Sequence, residues 1–287
     1  MIRIKLMQYI QLCRLDKPIG IWLLLWSTLW ALWLASNGLP AIKPLFIFVA
    51  GVILMRSAGC VMNDFADRKF DPMVARTRHR PLATGAVKPW EALLLAGVLA
   101  FLAFQLVLFC NGLTIQLAFV GLLLAIIYPF MKRYTHLPQV VLGAAFAWGI
   151  PMAFAEVQGA VWMPQVWLLY AAALVWSVIY DTMYAMADYQ DDQRVGIKST
   201  AILFGRFDRL IIAGLQLLFL SLLAVIGFLF ELSFYYDAAL FVVAGLFLYQ
   251  QGLIKQREPE HCFKAFLNNH WVGLIIFVGI ILGLRAG

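Results

Sequence analysis

Nine stretches of the chain are apolar almost from end to end, with short polar breaks between them: 19–36, 41–62, 89–110, 113–131, 137–156, 162–180, 209–229, 234–253 and 269–285. None alternates with the period of two expected of a half-buried strand, and each approaches the roughly 20 residues an α-helix needs to cross a bilayer. A β-barrel would instead show alternating segments of about ten residues. The pattern predicts an all-α polytopic membrane protein, nine transmembrane helices in a single membrane-embedded domain spanning 1–287. Several breaks are turn-sized, such as Asn37-Gly38-Leu39-Pro40 and Asn111-Gly112. Two are long, at about 63–88 and 181–208, and each begins on a run of acids.

Composition strengthens this picture. The chain is 63% hydrophobic and 13% charged, with a mean hydropathy of +0.86, more apolar surface than one soluble core can bury. Arg3, Lys5, Arg14 and Lys17 precede a long first stretch without a small-residue cleavage site, so it reads as a retained helix rather than a leader. The four cysteines lack paired spacing, which argues against both a disulfide framework and a zinc site. A net charge of +7 could suggest nucleic acid, but its placement does not. Nineteen of the twenty-two Lys and Arg residues lie in the N-terminal arm or the even-numbered connections. Lys43 and Arg285 lie on the opposite side, and Arg56 lies within a span. That asymmetry is the positive-inside rule; it puts the N-terminus and both acid runs in the cytoplasm and calls for no nucleic acid.

Seven of the fifteen acidic residues fall in the two runs, Asn63-Asp64-Phe65-Ala66-Asp67-Arg68-Lys69-Phe70-Asp71 and Asp181-Thr182-Met183-Tyr184-Ala185-Met186-Ala187-Asp188-Tyr189-Gln190-Asp191-Asp192. Asp64 to Asp71 and Asp181 to Asp188 are both seven residues, with Tyr184 in the place of Asp67: a weak internal repeat of the kind found where a membrane site lies between two halves. Positions i, i+3 and i+7 share a helix face. If the second and sixth stretches continue, Asp64, Asp67 and Asp71 form one stripe of oxygens, and Asp181, Tyr184, Asp188 and Asp191 another, with Asn63 and Asp192 flanking. Such stripes would repel in a low-dielectric site without cations. Hard oxygen ligands suit Mg²⁺, which is usually shared with substrate phosphates. The plainer reading, solvated loops whose acids balance Arg68 and Lys69, fits either run alone better than both.

Basic residues follow each run: Arg76, Arg78 and Arg80 after the first, Arg194 and Lys198 after the second, with Lys132 and Arg133 on the same side. Arginine forks match phosphate oxygens and lysine acts as a point charge, so acids, metal and cations together suit a diphosphate. Taken singly, each cation reads as well as a topology or headgroup contact. Arg14 either meets an anionic substrate or anchors the first helix. Arg56, about two turns before the first run, should face the bundle and pair with an acid or anion. The four histidines have no metal-ligand spacing.

Asn63-Asp64-x-x-Asp67-x-x-x-Asp71 and Asp181-x-x-Tyr184-x-x-x-Asp188-x-x-Asp191 resemble the paired aspartate motifs of the UbiA superfamily of intramembrane prenyltransferases. Arg14 to Gly20 (RLDKPIG), Tyr128 to Gln139 (YPFMKRYTHLPQ) and Gly196 to Gly205 (GIKSTAILFG) are similar to the branch that prenylates 4-hydroxybenzoate in ubiquinone biosynthesis. The resemblance implies a nine-helix bundle around a central cavity in a bacterial inner membrane, with Mg²⁺ as cofactor and polyprenyl diphosphate and 4-hydroxybenzoate as substrates; it calls for no obligate protein partner. Carried over by position, it makes Asp64, Asp67, Asp71, Asp181, Asp188, Asp191 and Asp192 metal ligands. The expected catalytic residues are Asp67, Asp71, Asp191 and Arg133, and the expected substrate-binding ones Asn63, Arg56, Lys132, Tyr184, Lys198 and Arg14. It leaves Arg14 and Arg56 unassigned between diphosphate and aromatic carboxylate. A prenyltransferase for a dihydroxynaphthoate or haem would use the same aspartates. A cation transporter would place its acids near the midplane on interrupted helices, not at the ends of spans.

Overall fold

The computed structural model describes residues 2–74 and 76–285, and no strand occurs among them. The side chains of Arg3 and Arg285, two of the charges weighed above, lie outside the described residues. A short helix, α1 (Ile2–Leu12), precedes the apolar stretches. These become α2 (Ile19–Ala35), α3 (Ile42–Asp67), α4 (Pro89–Val107), α5 (Gly112–Ile127), the pair α6 (Pro138–Ala147) and α7 (Gly149–Gln158), and α8 (Pro164–Ala187). Two short helices, α9 (Tyr189–Val195) and α10 (Thr200–Phe204), lead to α11 (Asp208–Leu229), α12 (Phe234–Leu253) and α13 (Pro259–Arg285).

Eight helical segments among the described residues are long and apolar enough to cross a membrane. The first predicted stretch falls just short of that length. It forms α2, an apolar helix of 17 residues, which follows Pro18 and stops before Asn37 and Gly38, both at positive φ. Proline likewise opens α4, α6 and α8, where its missing N–H leaves no bond unmade. Inside a stretch it acts differently. Pro151 has no N–H for the carbonyl of Ala147, and α6 ends there, so the segment predicted over 137–156 is two helices. Pro129 does the same to Ala125, and Tyr128–Arg133 tightens into a 3₁₀ turn.

Among the spans α8 is the most deeply buried. It packs against α6, α11 and α13, and the bundle closes where α13 meets α2. At the centre Trp30 and Trp176 lie 5.1 Å apart between ring centroids, and Phe219 stacks on Trp176. Both indoles are satisfied: Trp176 Nε1 donates to Asn269 Oδ1 at 3.0 Å and Trp30 Nε1 to the Gly273 carbonyl at 3.0 Å. Gln216 donates to Gln250, which donates to Asn268, tying α11, α12 and α13 together. Such interhelical bonds matter where lipid removes the hydrophobic contrast that packs soluble helices.

Gly273 lets α13 approach this centre. A Cβ there would stand 2.6 Å from Trp26 Cγ and 2.8 Å from a ring carbon of Trp176. Gly273→Leu should cost about 1–3 kcal/mol, the usual range for overpacking, and lower the midpoint of thermal unfolding in detergent. Leu94→Ala, on the outward face of α4 at 60% exposure, should move that midpoint little.

Candidate active site

The second apolar stretch runs past residue 62 as a helix, so Asn63, Asp64 and Asp67 occupy the last turns of α3. Asp71 does not extend their stripe. The helix ends at Asp67; Pro72 has no N–H with which to continue an α-helical ladder, and Asp71–Met73 forms a separate 3₁₀ turn. The Thr77 hydroxyl pins that turn by donating to the Asp71 carbonyl at 2.9 Å. The fold nevertheless returns Asp71 to its companions: Arg80 Nη1 lies 3.1 Å from both Asp71 oxygens and 3.0 Å from Asp64. Asp64 also receives Arg14 Nη2, at 2.9 and 3.0 Å. Arg14 holds a φ of +58°, and the arm before it is tied to α4 by Lys5 and Tyr9, which both bond Glu91. Asp67 pairs with Lys132 through Oδ2, while its Oδ1 is buried with no hydrogen-bond partner. The three carboxylates are 1%, 3% and 4% exposed. Burial pushes Asp71 up to about 6 despite Arg80.

The second run also changes direction. Asp181 and Tyr184 lie on α8, which ends at Ala187 with Asp188 as its cap; Asp191 and Asp192 lie on α9. Asp181, Tyr184, Asp188 and Asp192 line one cavity with Asn63, Asp67 and Asp71. Lys132, Lys198, Arg76 and Arg80 supply its positive charge. Asp191 turns the other way, to a cavity bordered by Arg206 and Arg257, and lies 3.8 Å from Arg194. Burial, reinforced by the Asp188 charge, pushes Asp192 up to about 7. Arg76 joins the two halves: its Nε donates to Asp188 at 2.8 Å and its guanidinium lies 4.3 Å above the Tyr184 ring. Lys198 Nζ donates to the Tyr134 carbonyl at 3.3 Å. Arg133 donates to the Ala66 carbonyl and lies near the rings of Phe70 and Phe130, so it braces the end of α3 and does not line this cavity.

Arg56 stands on α3 two turns before Asp64 and forms no ion pair within bonding distance among the described residues. Its Nε is buried without a partner, and its guanidinium lies 5.2 Å from the centre of the Phe146 ring. Gly20 makes the slot for it: a Cβ on Gly20 would stand 2.5 Å from Arg56 Nε and 2.8 Å from Cζ. Arg56 borders a second cavity, between α2, α3, α8 and α13, whose walls include Arg14, Lys17, Tyr180 and Phe263. Tyr128 lines both cavities, and its hydroxyl donates to Asn63 Oδ1 at 3.4 Å. Sequence reasoning noted Arg76 and Arg80 only as members of a basic run and did not single out Tyr128. The spacing held a signal. Arg76 and Arg80 are four residues apart and both reach acids of the site, whereas Arg78 between them donates to His79 Nε2.

The donors facing this cavity are oxygens, the chemistry a hard divalent cation takes, and the unpaired Asp67 Oδ1 is a ready ligand. No three acids among the described residues close on one point. A metal here would therefore take one or two protein oxygens and complete its shell from substrate phosphate, as Mg²⁺ commonly does.

Residues 24–275 match the UbiA prenyltransferase family. The chain is 62% identical to the 4-hydroxybenzoate octaprenyltransferase of Hahella chejuensis over 96% of its length and 91% of the relative's. It is 54% identical to that of Coxiella burnetii over 99% of both chains. In structure it resembles a UbiA homologue from Aeropyrum pernix K1, with a TM-score of 0.80 and 25% identity over 92% of this chain and 97% of the other. It shares its fold with a UbiA homologue from Archaeoglobus fulgidus bound to GPP and Mg²⁺, with a TM-score of 0.72 and 18% identity over 97% and 98%.

Arg80→Met removes the cation shared by two buried acids and should destabilise the protein by about 3–5 kcal/mol, the usual penalty for stranding a buried charge. Arg78→Met should stay within about 0.5 kcal/mol, as surface changes do. Thermal unfolding of the two variants side by side measures the contrast.

Proposed function

Because the chain belongs to the UbiA prenyltransferase family, we propose that it transfers a polyprenyl group from polyprenyl diphosphate to carbon 3 of 4-hydroxybenzoate, a step of ubiquinone biosynthesis. The observation that carries this reading is the cavity in which acids from α3, α8 and their connections are interleaved with Arg76, Arg80 and Lys132. Relatives named for this activity cover nearly the whole chain. The end of the bundle bearing the acids faces the cytoplasm of a bacterial cell, and α2 completes nine spans; the placement of basic residues supports both statements.

Asp67 through its unpaired oxygen, with at most one neighbour at a time from Asp71, Asp181, Asp188 and Asp192, would hold Mg²⁺ shared with the diphosphate, with Asp64 behind them paired to Arg14 and Arg80. When bound, Mg²⁺ supplies charge that neutralises the diphosphate as a leaving group. Arg76, Arg80, Lys132 and Lys198 add their own positive charge around the diphosphate oxygens, preorganised where negative charge grows as the allylic C–O bond weakens. Asn63 and Tyr184 position the donor. Asp191 lies outside this set and acts on the neighbouring loop, and Arg133 holds the end of α3 in place.

Arg56 takes the acceptor carboxylate. It is cationic, has an unpartnered donor and faces the α2–α13 cavity rather than the one the acids of both runs share, which gives an aromatic acid a place beside the diphosphate. Tyr128, at the edge of both cavities, marks where ring and allylic carbon meet. Ring carbon 3, ortho to the hydroxyl, attacks the allylic carbon as the C–O electron pair leaves on the diphosphate, and the proton of carbon 3 passes to a cavity carboxylate or to the released diphosphate, restoring aromaticity. The enclosing apolar helices keep water from the electron-poor carbon.

Membranes containing the protein, incubated with Mg²⁺, a polyprenyl diphosphate and a panel of aromatic acceptors, should yield prenylated 4-hydroxybenzoate by mass spectrometry. A prenylated dihydroxynaphthoate instead would reassign the acceptor, and no prenylated product from any acceptor would defeat the reading. Excess EDTA should abolish turnover, and Asp67→Asn should lower kcat by about 10²–10³-fold. Gly20→Ala should push the Arg56 guanidinium aside and raise KM for 4-hydroxybenzoate roughly 10–100-fold, the range for losing a hydrogen bond to a charged group, with little change in KM for the donor.

A further inference from the structure

The two polar cavities adjoin, and among the described residues their junction carries one purely hydrocarbon side chain. Of the side chains that line both, all but Leu142 bear a charge or a polar group. Leu142 belongs to α6, and its neighbours on that helix face continue the series. Gln139, three residues before it, lines the cavity of the acids. Phe146, four residues after it, lines the α2–α13 cavity beneath the Arg56 guanidinium. Positions i, i+3 and i+7 share a helix face, so one side of α6 runs from the acids, past the junction, to the arginine. Phe146 also borders a third cavity, an apolar groove between α3, α4, α5 and the α6–α7 pair, as do Arg56 and Tyr128.

This side of α6 has no room to draw back. Gly143 packs against α8 so closely that a Cβ on it would stand 2.9 Å from the Leu174 carbonyl oxygen and 3.1 Å from Ser177 Cβ. Gln139 Oε1 accepts a hydrogen bond from the Thr200 N–H at 3.1 Å. The Tyr170 hydroxyl donates to the Ala144 carbonyl at 3.2 Å. Leu142 itself is 6% exposed, so its branched end is held among its neighbours and does not swing aside for a ligand.

We propose that Leu142 is a length gauge that restricts the site to aromatic acids of a single ring. The proposal rests on the prenyl-transfer reading above. With its carboxylate on Arg56, the acceptor ring lies along α6 over Phe146. From Phe146 to Leu142 the helix rises about 6 Å, room for one six-membered ring and little more. The far edge of 4-hydroxybenzoate, its hydroxyl and carbon 3, then stops at Leu142, where the cavity of the acids opens and the allylic carbon lies. A second fused ring would drive that edge into the leucine. The gauge thus excludes longer acids and, by the same contact, sets carbon 3 at the junction for attack.

The probe is 6-hydroxy-2-naphthoate, which lengthens 4-hydroxybenzoate by one fused ring and keeps carboxylate and hydroxyl at opposite ends. Displacement of radiolabelled 4-hydroxybenzoate from the protein in nanodiscs, without donor, gives the dissociation constant of each acid. The wild type should bind 4-hydroxybenzoate at least about tenfold more tightly than the naphthoate, the scale on which apolar pockets discriminate. Leu142→Ala should shift the ratio of the two constants toward the naphthoate by at least about tenfold. Leu142→Val, which removes a single methylene and keeps more of the packing, should shift it in the same direction. Leu94→Ala on the lipid face should leave it unchanged. A purely structural role would weaken binding of both acids together and leave the ratio where it was. A ratio unchanged in both Leu142 variants, or a wild type that binds the naphthoate as tightly as the benzoate, would overturn the gauge. Product formation by the wild type tests the underlying reading separately: prenylated 4-hydroxybenzoate with an unchanged ratio defeats the gauge alone, and a shifted ratio without prenylated product defeats prenyl transfer alone.

Discussion

Asp64 and Asp67, at the end of a helix whose other residues are mostly apolar, and Asp71, in the turn just beyond it, are almost completely buried, and the surrounding structure answers that burial. An ionised carboxylate removed from water costs several kcal/mol unless it is paired and hydrogen-bonded. Each pairing cation is brought in by a separate piece of chain. Arg14 comes from the N-terminal arm, which docks on Glu91 and turns through a left-handed residue; a non-glycine residue held there carries a strain of order 1–3 kcal/mol. Arg80 comes from the connection after Asp71, and Lys132 from the 3₁₀ turn that Pro129 imposes. Arg76 crosses to the other half and engages Asp188 and Tyr184. The local irregularities of the fold, at Arg14, Asp71 and Tyr128–Arg133, are the places from which charge is delivered to the acids.

The same pairing makes the site suited to a diphosphate. The cations that balance the carboxylates lie at the wall of the cavity, not behind it, so an anion entering with a divalent metal meets both charges it needs. Asp67 Oδ1 and Arg56 Nε are the two buried site atoms left without partners, one an acceptor and one a donor, and they lie in different parts of the site. One borders the cavity of the acids and the other the α2–α13 cavity, the places proposed for metal and for aromatic carboxylate. Tyr128, on the border of all three cavities, is where their occupants would meet.

Helical phase was right for Asp64 and Asp67 and for Asp181 and Tyr184, because those pairs stay on continuous helix. It failed at Asp71 and at Asp191, where Pro72 and the cap at Asp188 end the helices and reset the direction of the next side chain. Asp71 came back to the site through a turn that periodicity does not describe, while Asp191 did not. Arg133 was singled out beside Lys132 on resemblance, yet the 3₁₀ turn points the two neighbours to different partners, Lys132 to Asp67 and Arg133 to the backbone of Ala66.

The sequence by itself determined the apolar spans, the helical class, the two acid runs at the ends of spans and the family. All of these depend on local periodicity, composition and short motifs, which a chain displays before it folds. Tertiary structure alone decided which cation serves which acid, that Arg76 and Arg80 pair with site acids while Arg78 does not, that Gly20 leaves room for Arg56, and that a third, apolar groove lies beside the polar cavities. Arg14 pairs with an acid 50 positions away and Arg76 with one 112 positions away. Among chemically equal arginines no local pattern marks the one that packing will bring within reach.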